Sequence, residues 1–97
     1  MNNQTTTIDL DTAIKRGETE VTQLVLRRPQ AGELRGLHMS QVLAMNTDAL
    51  FSLIPRITSP ALMPHELNNL DAGDLIQIGY AILGLIAPKS MQQGLPQ

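Results

Sequence analysis

The chain has 97 residues with one phenylalanine, one tyrosine, no tryptophan and no cysteine, and it carries a net charge of −2 with a pI near 5.5. That length holds one domain. The missing cysteine excludes disulfides, zinc–thiolate sites and a thiol nucleophile, and the mild acidity argues against a dedicated nucleic-acid binder.

Residues 1–6 are polar and expected to fray. Met1-Asn2-Asn3-Gln4 has neither a basic region nor an apolar run, so no signal peptide is expected and the protein should stay in the cytoplasm. From Thr7 the pattern alternates, with Ile8, Leu10 and Thr12 on one face and Asp9 and Asp11 on the other. Lys15-Arg16-Gly17-Glu18 reads as a turn, with Gly17 available for a left-handed position. Glu18 to Arg28 is a second strand, with Leu24, Leu26 and Thr22 on one face and Val21 and Val25 on the other. Residues 7–28 are therefore expected to form a two-stranded β-hairpin. An isolated hairpin is marginal in water, so its apolar face needs a cover.

Residues 29–39 form the connector on which the chain turns from strand to helix. Pro29 fixes its own φ and keeps Arg28 extended, so no helix runs through it. Gly32 and Gly36 permit positive φ. Leu34 is a single apolar anchor between Glu33 and Arg35. Arg27, Arg28 and Arg35 cluster around this loop, and arginine forks pair bidentately with carboxylates. The loop is either a solvated connector or a recognition loop made by Arg27, Arg28, Pro29, Gly32, Leu34, Arg35 and Gly36.

Residues 40–87 read as three or four short helices, giving an α+β fold in one domain. Ser40 is placed to cap a short helix carrying Leu43 and Ala44. Asn46 or Thr47 is a stronger cap for the next, which has Asp48 in its first turn and Leu50, Leu53, Ile54 and Ile57 at i, i+3, i+4 and i+7. Pro55 predicts a kink or an end by Ile57. Thr58 to Met63 reads as a linker, and Pro64 opens a short helix with Glu66 at its positive end and Leu67 and Leu70 facing inward. Asp71 and Asp74 look like the cap and first turn of the last helix, which stops before Pro88. Residues 88–97 are expected to be a mobile tail.

That last helix is apolar nearly all round. Leu75, Ile78, Ile82 and Ile86 form one stripe, and Ile76, Leu83 and Ala87 another. Such a helix must be covered on both sides. At 13 residues, Leu75 to Ala87 is too short for a bilayer, which takes about 20, so no membrane role is expected. A domain this small has little material to wrap a whole helix. Ile76 and Leu83 are thus candidates to face a partner or a second copy, and a homo-oligomer is expected.

No constellation for chemistry emerges. His38 and His65 lack the partners of a metal pair, Asp71 and Asp74 read as helix capping, and no serine has a base at a recognisable spacing. We expect no enzyme, no metal and no cofactor.

The order of short motifs carries a resemblance. Val25-Leu26-Arg27-Arg28-Pro29 is followed by Ala31-Gly32-Glu33-Leu34-Arg35-Gly36-Leu37, then Asn46-Thr47-Asp48-Ala49-Leu50 and Leu53-Ile54-Pro55-Arg56-Ile57. Glu66-Leu67, Leu70-Asp71 and Ala72-Gly73-Asp74-Leu75 complete it. Over residues 8–87 the chain resembles the phage tail assembly chaperones of Mu-like and related contractile-tailed phages. The resemblance implies a late, cytoplasmic protein of the infected host, absent from the mature virion. It would bind the tape measure protein, keep it soluble and assist assembly of the tail tube, with tail tube subunits as further partners. It also implies a longer form made by ribosomal frameshifting. The alternative is a small phage or prophage regulatory or adaptor module using Arg27, Arg28 and Arg35 on protein or nucleic acid.

Overall fold

The computed structural model describes residues 4–88. Two antiparallel strands, β1 (Thr5–Arg16) and β2 (Thr19–Arg27), are joined by a turn in which Gly17 takes φ +59°. The left-handed position expected at Gly17 is therefore used. β1 begins at Thr5, inside the segment expected to fray, because Thr5 and Thr6 pair with Arg27 and Leu26.

The sheet has three strands, not two. After the second helix the chain returns as β3 (Thr58–Ser59), which pairs antiparallel with Leu26 and Val25 in the order β1-β2-β3. The two-stranded hairpin is corrected accordingly. Thr58-Ser59 looked like a linker because two residues before a proline carry no periodicity. Tertiary pairing with β2 alone makes them a strand.

The strand alternation also breaks once. Ile8 pairs with Leu24 and Asp9 with Gln23, but the next pair is Ile14 with Val21. Residues 10–13 of β1 thus face the single residue Thr22, a wide irregularity that turns Thr12 and Thr22 outward. Ile8, Ile14, Leu24 and Leu26 remain on the covered face, while Val25 points away and is 39% exposed.

The helical part begins at the connector, where a 3-10 turn spans Ala31–Leu34, and Leu34 and Leu37 both pack on the core. Gly36 takes φ +84°, as expected, whereas Gly32 is not in the left-handed region. Helix α1 (Met39–Leu43) starts one residue before the expected Ser40 cap; its cap position is His38, with no side-chain bond. Helix α2 (Thr47–Ile57) is capped by Asn46, whose Oδ1 accepts from the Ala49 amide at 3.1 Å, and it ends two residues past Pro55. Its predicted stripe of Leu50, Leu53, Ile54 and Ile57 is buried. Pro64 opens α3 (Pro64–Asn68), and Asp71 caps α4 (Ala72–Ile86) by accepting from the Gly73 amide at 3.0 Å.

Helix α4 lies against β1 and β2, and its Ile78, Ile82 and Leu85 join Leu24, Leu26 and the α2 stripe in one buried cluster. Gly79 lets α4 approach α2 and the residue before its cap: a Cβ there would come within 2.4 Å of Met45 Cε and 3.4 Å of Leu50 Cδ1. The core is aliphatic throughout, as the scarcity of rings requires. The tail expected at 88–97 lies outside the described residues apart from Pro88.

Candidate partner-binding surface

The connector is tied to the helices around it. Arg27 pairs through both guanidinium nitrogens with the Glu33 carboxylate, at 2.7 Å for Nη1 to Oε1, and its Nη2 also donates to the Arg56 carbonyl at 2.9 Å. Glu33 further accepts from the Gln30 amide at 2.9 Å. The Arg27 hydrogen bond, with that amide second, holds the Glu33 carboxyl down at about 2. Arg56, at the end of α2, donates to the carbonyls of Glu33 and Arg35. Arg28 donates to Gln4 Oε1 at 2.9 Å and to the Ala87 carbonyl at the end of α4, at 3.2 Å.

The three expected arginines therefore divide. Arg27 and Arg28 serve the fold, one holding the 3-10 turn and the other binding a carbonyl at the negative end of α4. Arg35 is exposed, and its side chain makes no hydrogen bond or ion pair with the described residues. Pro29 and Leu34 are half-buried, while Gly32 and Gly36 are exposed. Arg56 was not anticipated; a lone arginine in a last helical turn reads as a dipole contact, and its reach to the connector carries no local signal.

On α4 the structure separates the two apolar stripes. Ile78, Ile82 and Leu85 are buried; Leu75 and Ile86 are half-buried. The outward face carries Ile76 (50% exposed) and Tyr80 (64% exposed), followed by half-buried Leu83 and Ala87. These four stand at spacings of four, three and four, one face of a helix. Ile76 and Leu83 thus lie together, and Tyr80 between them is the member that sequence reasoning passed over. It was given no role, yet its i+4 position from Ile76 already placed it on that face.

Asp74 is the second residue misread. It was assigned to helix capping, but its side chain is completely buried. Its Oδ1 and Oδ2 accept from the backbone amides of Asp11 and Thr12, at 2.7 and 3.1 Å, and Gln77 Nε2 donates to Oδ1 at 3.3 Å. Those amides belong to the irregular stretch of β1. The carboxylate supplies the partners that β2 cannot. Asp11 and Asp71 stand beside it, with one oxygen from each of the three within 4.8 Å of the others. The amino end of α4 and these backbone amides answer that negative charge.

A groove of about 210 Å³ runs between β1 and α3, lined by Thr12, Ile14, Lys15, His65, Asn69 and Leu70 among others. Glu66 on its wall is committed to the fold, accepting from Arg16 Nε and Nη2 at 2.7 and 2.9 Å and from the Met63 amide at 2.9 Å. The Arg16 bond chiefly, and then the Met63 amide, hold its carboxyl at about 2. Among the described residues, no helix is long and apolar enough to cross a membrane.

A three-stranded sheet covered on one side by helices, the last of them showing an uncharged apolar stripe, defines a small α+β domain. The comparisons with known proteins give that class a family. A family model for phage tail assembly chaperone proteins E, or 41 or 14, matches residues 7–82, and the chain belongs to this family. It is 37% identical to tail assembly protein E of Escherichia phage P2 over 90 residues, which cover 93% of this chain and 99% of that protein. It is 36% identical to tail assembly protein E' of the same phage over 84 residues, 87% of this chain and 59% of that relative's length. No solved structure matches.

Proposed function

We propose that the chain works in phage tail assembly as a non-catalytic chaperone that binds the tape measure protein in the host cytoplasm and keeps it soluble while the tail tube forms. The observation that carries this reading is the α4 stripe of Ile76, Tyr80 and Leu83, uncharged and partly open to solvent in a family of tail assembly chaperones. A long helical client offers apolar faces of the same kind, and a helix-to-helix contact of a few anchors binds reversibly without ATP. Arg35 adds a cation whose side chain is engaged with nothing in the fold and can meet a carboxylate on the client.

The test is co-expression with the tape measure protein encoded by the same phage. Wild-type chain should raise the soluble tape measure fraction and co-purify with it. Tyr80→Glu should lose most of both effects while keeping its circular dichroism spectrum, and Arg35→Ala should lose part. Undiminished co-purification by Tyr80→Glu would remove α4 from the binding surface. No co-purification by the wild-type chain would overturn the reading.

A further inference from the structure

We propose that the outward face of α4 pairs with the same face of a second copy, antiparallel and about a two-fold axis between Tyr80 and Leu83. Ile76, Tyr80, Leu83 and Ala87 follow one another at the four–three–four spacing of a coiled-coil seam. Turned antiparallel, that seam forms four layers. Ile76 meets the small Ala87 of the second copy at each end, and Tyr80 meets Leu83 in the middle two. Bulk is thus matched to space at every layer, and an isologous contact needs such a self-complementary patch. In a parallel pair Ile76 would meet Ile76 and Tyr80 would meet Tyr80, leaving a gap at the Ala87 layer.

Charge selects the same direction. No residue from Leu75 to Ala87 is charged, so the seam itself has no repulsion to overcome. Its two ends differ: exposed Asp11 and Asp71 stand at the amino end of α4, while the Arg28 guanidinium sits on the Ala87 carbonyl at the other. An antiparallel pair sets the acidic end of each copy beside the basic end of the other, twice over. A parallel pair sets acid beside acid. The helix dipoles add to this preference.

One helix pair falls short of the about 800 Å² per partner that a stable interface buries. The dimer is therefore reversible, and its seam is the stripe offered to the tape measure protein in the proposed function, so copy and client would compete for it. The proposal itself goes beyond that function and concerns the chain alone.

The experiment uses the purified full chain with no client. Sedimentation from about 10 μM to about 1 mM should show the mass rising from 10.6 kDa toward twice that value. Tyr80→Glu should stay at the single-chain mass throughout with an unchanged circular dichroism spectrum. Cysteine cross-linking then reads the direction, in a chain with no cysteine of its own. An equimolar mixture of Ile76→Cys and Ala87→Cys should oxidise to the mixed dimer, because those positions share a layer. Ile76→Cys alone should cross-link at least tenfold less, since its two copies lie ~16 Å apart along the axis. A wild-type chain that stays monomeric at about 1 mM, or preferential cross-linking of Ile76→Cys to itself, overturns the proposal.

Discussion

Replacing Asp74 by alanine should destabilise the domain far more than replacing Asp71, although both aspartates stand in the opening turn of α4. Asp71 sits at the cap, exposed, with one bond to the Gly73 amide. Its loss is an ordinary cap loss of about 0.5–2 kcal/mol, and water reaches the amide it leaves. Asp74 is fully buried and serves two amides of β1 across 62 and 63 residues of sequence. Truncation takes the carboxylate from both part-buried donors, and each unsatisfied donor costs about 1–3 kcal/mol where water cannot replace it. The sum, about 2–6 kcal/mol, is a large part of the about 5–15 kcal/mol that holds a typical domain. At about 4–8 °C per kcal/mol for a chain of this size, melting should fall by about 10 °C or more. Asp74→Asn should fall between wild type and Asp74→Ala, since an amide keeps one acceptor but turns an NH2 toward a donor. Thermal melts of the three variants at neutral pH decide it. Equal losses for Asp71→Ala and Asp74→Ala would refute the strand-clasp account and return Asp74 to capping.

Ile82→Glu should cost several kcal/mol, because it buries an unpaired charge where Ile82 has no exposure, while Arg35→Ala should stay within about 0.5 kcal/mol; equal melting temperatures would refute this. Glu66 is depressed to about 2, so its stabilising contribution is complete above about 4.5 and is lost as pH falls from there toward about 2. Glu66→Gln should therefore be less stable at neutral pH, and its melting temperature should fall less than that of wild type across the same acid range; parallel curves would refute the Arg16 clasp. Arg27→Ala and Arg28→Ala should each lower melting by a few degrees, each losing about 0.5–1 kcal/mol from a part-exposed contact, with Arg35→Ala unchanged; a uniform response of all three would deny the division made by the structure.

What was legible in the sequence was whatever a short window decides. Asn46 as a cap, the α2 stripe, the turn at Gly17 and the helix starting at Pro64 each depend on residues within a turn or two of one another. Three features depended on residues far away. β3 exists because β2 has an open side beside Val25 and Leu26, and nothing in Thr58-Ser59 announces that. Arg27 read as a loop charge and Arg56 was not anticipated because Glu33, whose carboxylate takes Arg27 and whose carbonyl takes Arg56, meets both only after α2 has packed. Asp74 looked like a helix-terminal acid because the irregular stretch of β1 that needs it cannot be seen in a strand pattern that alternates cleanly up to Thr12.

The same distinction explains how α4 would serve both the fold and the proposed binding. Asp74, Ile78, Ile82 and Leu85 fix the helix to the sheet through a polar clasp at one end and aliphatic packing along the rest. With orientation set by those residues, the opposite face is held outward and can stay apolar without collapsing into the core. Residues for folding and those assigned to the proposed binding then alternate within one short helix, two to four positions apart. A charge at position 82 should unfold the protein, whereas a charge at position 80 should leave it folded and unable to bind. If both changes unfold it, the outward face is part of the core, and the partner surface must be sought at Arg35 and the connector.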